Sequence, residues 1–149
     1  MNHHSYLRAY LAGVFIPTLV LPFMLTAFIV LRLVLRIPVP IERGLVFPMA
    51  LVPLGWGLWN VLWLASHERT HLAIGVHGAL LPFLLLPCGT IVARSLGVLR
   101  LGAAGVIWFQ ACSIPYVFFI AVGLLVAVAV YYLAWKYIVG FVNRLLGIA

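Results

Sequence analysis

The sequence contains no aspartate. Its only acids are Glu42 and Glu68, and charged residues of both signs make up 7% of the 149 positions. A water-soluble domain carries roughly a quarter charged residues. A chain this poor in charge cannot keep its surface in water, so most of its solvent has to be lipid. The scarcity of ionisable groups inside the apolar runs also removes the usual equipment of a proton- or ion-coupled carrier. Cysteine is nearly missing as well. Cys88 and Cys112 stand alone with no CxxC, which speaks against zinc-finger or thioredoxin chemistry, and both are expected to be small buried apolar side chains. No basic cluster with interleaved exposed aromatics occurs. Nucleic acid is therefore not an expected partner, despite a net charge of +7.

What the chain has is hydrophobic length: 66% hydrophobic residues and a mean hydropathy of +1.25. The expected fold class is all-α, a polytopic membrane helix bundle forming one domain over 1–149. Four proline-kinked transmembrane helices are expected at about 10–31, 44–65, 72–93 and 115–135. The first apolar run is 22 residues long, or about 33 Å at 1.5 Å per residue, enough to cross the hydrocarbon. It continues well past the core of a signal peptide and shows no small-residue cleavage site before Arg32, so it reads as an uncleaved span. Pro38-Val-Pro40 forbids regular helix in the connection that follows. The segment 96–113 is short for a span and rich in small residues (Gly102, Ala103, Ala104, Gly105). An interfacial or re-entrant helix is expected there, with a fifth span as the alternative. The tail 137–149 is either an amphipathic helix on the membrane surface or an extension of the last span.

Prolines recur five apart in three spans, at 17 and 22, 48 and 53, 82 and 87. A proline inside a helix frees a carbonyl one turn earlier and bends the axis. Bent helices can enclose a cavity, and the near-uncharged walls here suit an apolar or lipid-like ligand. Arginines cluster at the ends of the apolar runs. Arg32, Arg36, Arg94 and Arg100 are expected among lipid headgroups, because a charge at mid-bilayer costs at least about 2.5 kcal/mol.

Two constellations could carry function. Trp56, Trp59 and Trp63 form a stripe at helical spacing, with Asn60 beside it. Aromatic anchoring at the interface is one reading; a ligand-facing wall with Asn60 as its polar contact is another. Asn60 is equally explained by a hydrogen bond to a neighbouring helix. The second constellation is His67-Glu68-Arg69-Thr70-His71, an HExxH pattern. Two histidines four apart on a helix can share one Zn²⁺, and the adjacent glutamate can activate a water. With His77 ten residues after His67, the stretch resembles the zinc-binding segment of the metzincins. It also resembles that of integral-membrane metalloproteases. The resemblance implies His67, His71 and His77 as metal ligands and Glu68 as the catalytic base. Ile74 stands where metzincins have glycine, and no aspartate exists to supply the ligand that membrane metalloproteases take from another span.

The expected function is that of a small, non-enzymatic integral membrane protein of an inner or plasma membrane. It would bind or move a lipid-like ligand, or serve as a subunit of a larger membrane complex, without a cofactor. The alternative is a small zinc-dependent membrane hydrolase using the HERTH segment. Expected partners are membrane lipids, with a second copy of the chain or a larger assembly.

Overall fold

A long apolar run with one charge near its start forms helix α1, Ser5–Ile29, which continues through a π-type stretch, Val30–Val34. In this computed structural model residues 4–37, 42–43, 47–109 and 112–148 are described. The Pro38-Val-Pro40 turn, the first residues of the expected second span (44–46) and Gln110 lie outside them, as does the side chain of Pro48. Helix α2 is Phe47–Thr70 and α3 is Ile74–Ser95. Helix α4, Phe118–Leu145, is built from π-type stretches at Phe118–Val122 and Ala134–Val139, each followed by regular α-helix.

Four helices of 30, 22, 22 and 28 residues are long and apolar enough to cross a membrane. They overlap the four expected spans. The last is longer than expected, because the 137–149 region extends it to Leu145 and forms no separate surface helix. The helices run through Pro17, Pro22, Pro53, Pro82 and Pro87 without ending.

Local chemistry explains where the helices stop. After α3, Gly97 takes φ +71. Its N–H donates to the Arg94 carbonyl and that of Val98 to the Ala93 carbonyl, at 3.0 and 2.9 Å. This is the paired capping pattern that glycine permits beyond a helix. Gly147 repeats it after α4, with Gly147 N–H to Arg144 and Ile148 N–H to Asn143. Helices α1 and α2 are followed by left-handed residues that are not glycine, Arg36 at φ 51 and His71 at φ 50.

The expectation of a helix over 96–113 is corrected. The segment folds as a three-stranded antiparallel meander: β1 Leu99–Leu101, β2 Gly105–Trp108 and β3 Cys112–Pro115. The cause is visible in the residues. Val98 and the run Val106-Ile107-Trp108-Phe109 are β-branched or aromatic, which suits a pleated surface. Gly102 to Gly105 is the tight turn between them, closed by Gly102 N–H to Gly105 C=O at 2.9 Å. Gly105 is required for the second pairing, since a Cβ there would strike the Ile114 carbonyl. The cysteine expectation is also corrected. Cys88 and Cys112 are exposed free thiols, Cys88 because it lies on the same outward flank of α3 as Leu84 and Ile91.

Packing is concentrated at the end where α1 starts, α2 ends, α3 starts and α4 ends. The buried residues of α1, Ala9, Ala12, Gly13 and Pro17, all lie in its first half. Gly13 sits on α2, where a Cβ would come within 2.5 Å of the Trp56 carbonyl and 2.8 Å of Gly57 Cα. The main core cluster is Trp56, Leu81, Trp135 and Val139. Trp135 fills the hollow left by Gly78, so the small-residue patch of α3 receives a side chain. A separate cluster of Ala93, Leu99 and Val106, with Trp108, Tyr116 and Phe119 against it, joins the sheet to α3 and α4 at the other end. Between these clusters the middle of α4, Gly123–Leu133, buries no residue.

Replacing Gly78 with leucine is expected to cost about 1–3 kcal/mol by overpacking against Trp135. Gly89→Leu, where no atom lies within 4 Å of the added Cβ, is expected to change stability by less than about 0.5 kcal/mol. Equilibrium unfolding in mixed micelles checks both.

Candidate functional site

Inside the packed end, polar groups are matched across helices. Asn60 on α2 and Asn143 on α4 are fully buried. Asn60 Nδ2 donates to Asn143 Oδ1 at 2.8 Å and to the Ala9 carbonyl of α1 at 2.7 Å, and Asn143 Nδ2 returns a bond to Asn60 Oδ1 at 3.2 Å. One amide pair thus joins three helices. A four-residue spacing in a regular α-helix drifts forward by about 40° per step. The wider turn of the π-type stretch at Ala134–Val139 drifts the other way. Trp135, Val139 and Asn143 therefore share the inward face of α4, and all three are buried.

The tryptophan stripe faces the bundle, with each indole N–H held by a protein acceptor. Trp56 donates to Tyr131 Oη at 3.4 Å, Trp59 to the His77 carbonyl at 2.9 Å and Trp63 to the Leu72 carbonyl at 3.2 Å. His77 returns a bond from Nε2 to the Trp59 carbonyl at 3.0 Å and stacks on that indole, centroids 4.9 Å apart. Because a carbonyl can only accept, Nε2 carries the proton. The tryptophans join α2 to α3 and α4, and the indoles of Trp56 and Trp135 lie 5.7 Å apart.

The histidine turn does not gather. Helix α2 ends at Thr70, His71 is exposed in its left-handed conformation, and α3 begins at Ile74. His77 packs on Trp59, eight residues or about 12 Å back along α2 from His67. His67 is half-buried and stacks on Trp63, with Nδ1–H donated to the Leu64 carbonyl at 2.9 Å. Exposed Glu68 and His67 line a polar pocket of about 400 Å³ with Ser5, Tyr6 and Arg69. Among the described residues no three His, Cys, Asp or Glu side chains come together to hold a metal ion.

The opposite end holds the apolar cavities. A half-open groove of about 340 Å³ lies between α3, the sheet and the start of α4, lined among others by Phe83, Leu86, Leu101, Tyr116, Phe119 and Leu124. The two hydroxyls in its lining are satisfied within the protein: Thr90 Oγ1 donates to the Leu86 carbonyl at 2.7 Å, and Tyr116 Oη to the Gly102 carbonyl at 2.7 Å. The walls therefore present hydrocarbon. A second apolar groove of about 220 Å³ shares Leu86, Thr90 and Phe119 with the first. Arg94 and Arg100 are exposed beside them, while Arg32 turns back to the Ile37 carbonyl at 3.3 Å.

Compared with known protein families, curated proteins and solved structures, the chain matches none.

Sequence reasoning missed Asn143 and the groove. Asn143 carried a readable signal: Tyr131, Trp135, Val139 and Asn143 recur every four residues. The groove depends on the sheet, which the helix expectation concealed.

Asn60→Leu strands the Asn143 amide and is expected to cost about 1–3 kcal/mol. A double-mutant cycle with Asn143→Leu is expected to return a coupling of about 0.6–1.7 kcal/mol. His71→Gly relieves the left-handed backbone and is expected to stabilise by about 1 kcal/mol. The same micellar unfolding assay reads all of these.

Proposed function

We propose that this is a non-enzymatic, multi-pass protein of an inner or plasma membrane that binds or moves a lipid-like ligand. The observation that carries the reading is the dry groove between α3, the sheet and α4. Its volume sits at the lower end of ligand pockets, roughly 300–1,000 Å³, which suits a stretch of acyl chain better than a whole molecule. Every hydroxyl in its wall already donates its proton within the protein, so a ligand's acceptor atoms would find no hydroxyl donor there. The prolines of α3 support the reading too, since Pro87 forms part of the wall and a proline bend opens space beside a neighbouring helix.

The sheet belongs at the headgroup level in this reading. Among the described residues its outer strands β1 and β3 each pair only with β2, and unpaired strand edges are not tolerated in hydrocarbon. At that level the mouth of the groove would open where a lipid enters. A zinc hydrolase at His67 and His71 has weaker support, because His77 is committed to Trp59.

Lipid mass spectrometry of protein extracted in mild detergent tests the proposal. The expected result is retained lipid that falls severalfold in Leu86→Trp, which intrudes on the two apolar grooves that Leu86 lines, and is unchanged in Leu62→Trp on the outer face of α2. Wild-type protein that carries no lipid, or Leu86→Trp protein that carries as much as wild type, would overturn it.

A further inference from the structure

We infer that the occupant is an anionic phospholipid with two acyl chains, its phosphate held by Arg94 and Arg100. The inference rests on the lipid-binding reading and names the class of lipid. Three cavities adjoin. The apolar grooves of about 340 and 220 Å³ share the wall made by Leu86, Thr90 and Phe119. A third pocket of about 370 Å³, lined by Arg94, Gly97, Leu99, Arg100 and Leu101, touches the larger groove at Leu101 and the smaller at Leu99. Strand β1 is the hinge of the arrangement. Its alternation gives Leu99 and Leu101 to one side and Arg100 to the other. Two apolar grooves on one side of β1 therefore border, across that strand, one pocket that holds both arginines, an arrangement that suits a lipid with two tails and a single charged head.

The charge in that pocket is unspent. Neither guanidinium makes a hydrogen bond or an ion pair with another described residue, and no carboxylate lines any of the three cavities. Arginine at this position is also favoured by the fold. Arg94 lies in the last turn of α3, where a helix terminus attracts cations. The planar guanidinium offers a fork of donors that matches phosphate oxygens in pairs. A neutral lipid such as a diacylglycerol would leave both arginines without a partner. A single-chain lipid would leave one groove empty.

The test uses full-length protein in vesicles of equal phosphatidylglycerol and phosphatidylcholine, followed by mild extraction and quantitation of the lipids that remain bound. Wild type is expected to retain phosphatidylglycerol over phosphatidylcholine. In Arg94→Gln/Arg100→Gln the ratio is expected to fall about tenfold, while total bound lipid persists because the grooves are intact. Arg32→Gln/Arg36→Gln removes equal charge from the same end, away from the cavities, and is expected to keep the preference. A wild type without headgroup preference overturns this inference and leaves the groove reading standing. An equal loss of preference in both double variants also overturns it, by assigning the effect to general surface charge. Displacement of the diacyl lipid by an equal amount of lysophosphatidylglycerol overturns the two-chain assignment. A wild type that binds no lipid removes the groove reading itself.

Discussion

In hydrocarbon a polar group has no water to fall back on, and this chain meets that constraint at one place. Asn60, Asn143 and the Ala9 carbonyl satisfy one another, and around them the indoles of Trp56, Trp59 and Trp63 each find an oxygen on another segment. These bonds are directional, so they fix which helices meet and at what height. Apolar packing adds to them: Trp135 enters the hollow at Gly78, and α1 rests on α2 at Gly13. Two buried groups among the described residues depart from the pattern: the indole N–H of Trp135 has no acceptor, and Oε2 of Glu42 has no donor.

Such bonding is concentrated at one end of the bundle. Toward the other end the helices carry apolar side chains that face outward, such as Phe23, Leu33 and Leu125. The meander takes over the organising role there, bridging α3 and α4 through Leu99, Val106 and Phe119. A helix in its place would have covered its own backbone and lain flat. A sheet of three short strands instead stands as a wall, and the space between wall and helices is the groove. The division of labour is therefore spatial: polar pairing closes one end, and a small sheet props the other.

The four long helices were legible because their signal is length and hydropathy, which do not depend on partners. That a connection follows the second span was legible for a related reason, since polar residues collect where a membrane chain turns, but its bounds were not: Ser66–Thr70 belong to α2, and the chain leaves the helix at 71–73. The meander was not, because Gly102-Ala103-Ala104-Gly105 reads equally as a small-residue helix patch and as a tight turn. Only the strand pairing of Arg100 with Ile107 and of Ile107 with Ser113 decides between them, and hydropathy and small-residue spacing do not report that pairing. The HExxH spacing pointed to a shared metal because it assumes one continuous helix face. Instead the backbone turns at His71, and His77 finds Trp59 before it could approach His67. The tryptophan stripe looked like interface anchoring because composition alone cannot tell which face of a helix meets a neighbour.

The amide clamp also imposes an order on assembly. Asn60 and Asn143 are separated by 83 residues. A chain lengthening at about 5–20 residues per second needs roughly 4–17 s to supply that interval. Throughout it, the hairpin of the first two helices holds a side-chain amide whose match has not been made. The Ala9 carbonyl on α1, which keeps its bond to Asn60 in the complete fold, is the partner that needs no later helix. The side-chain partner of Asn60 thus comes only with the fourth helix, whereas the bonds of Trp59 and Trp63 to the third-helix segment need no part of it.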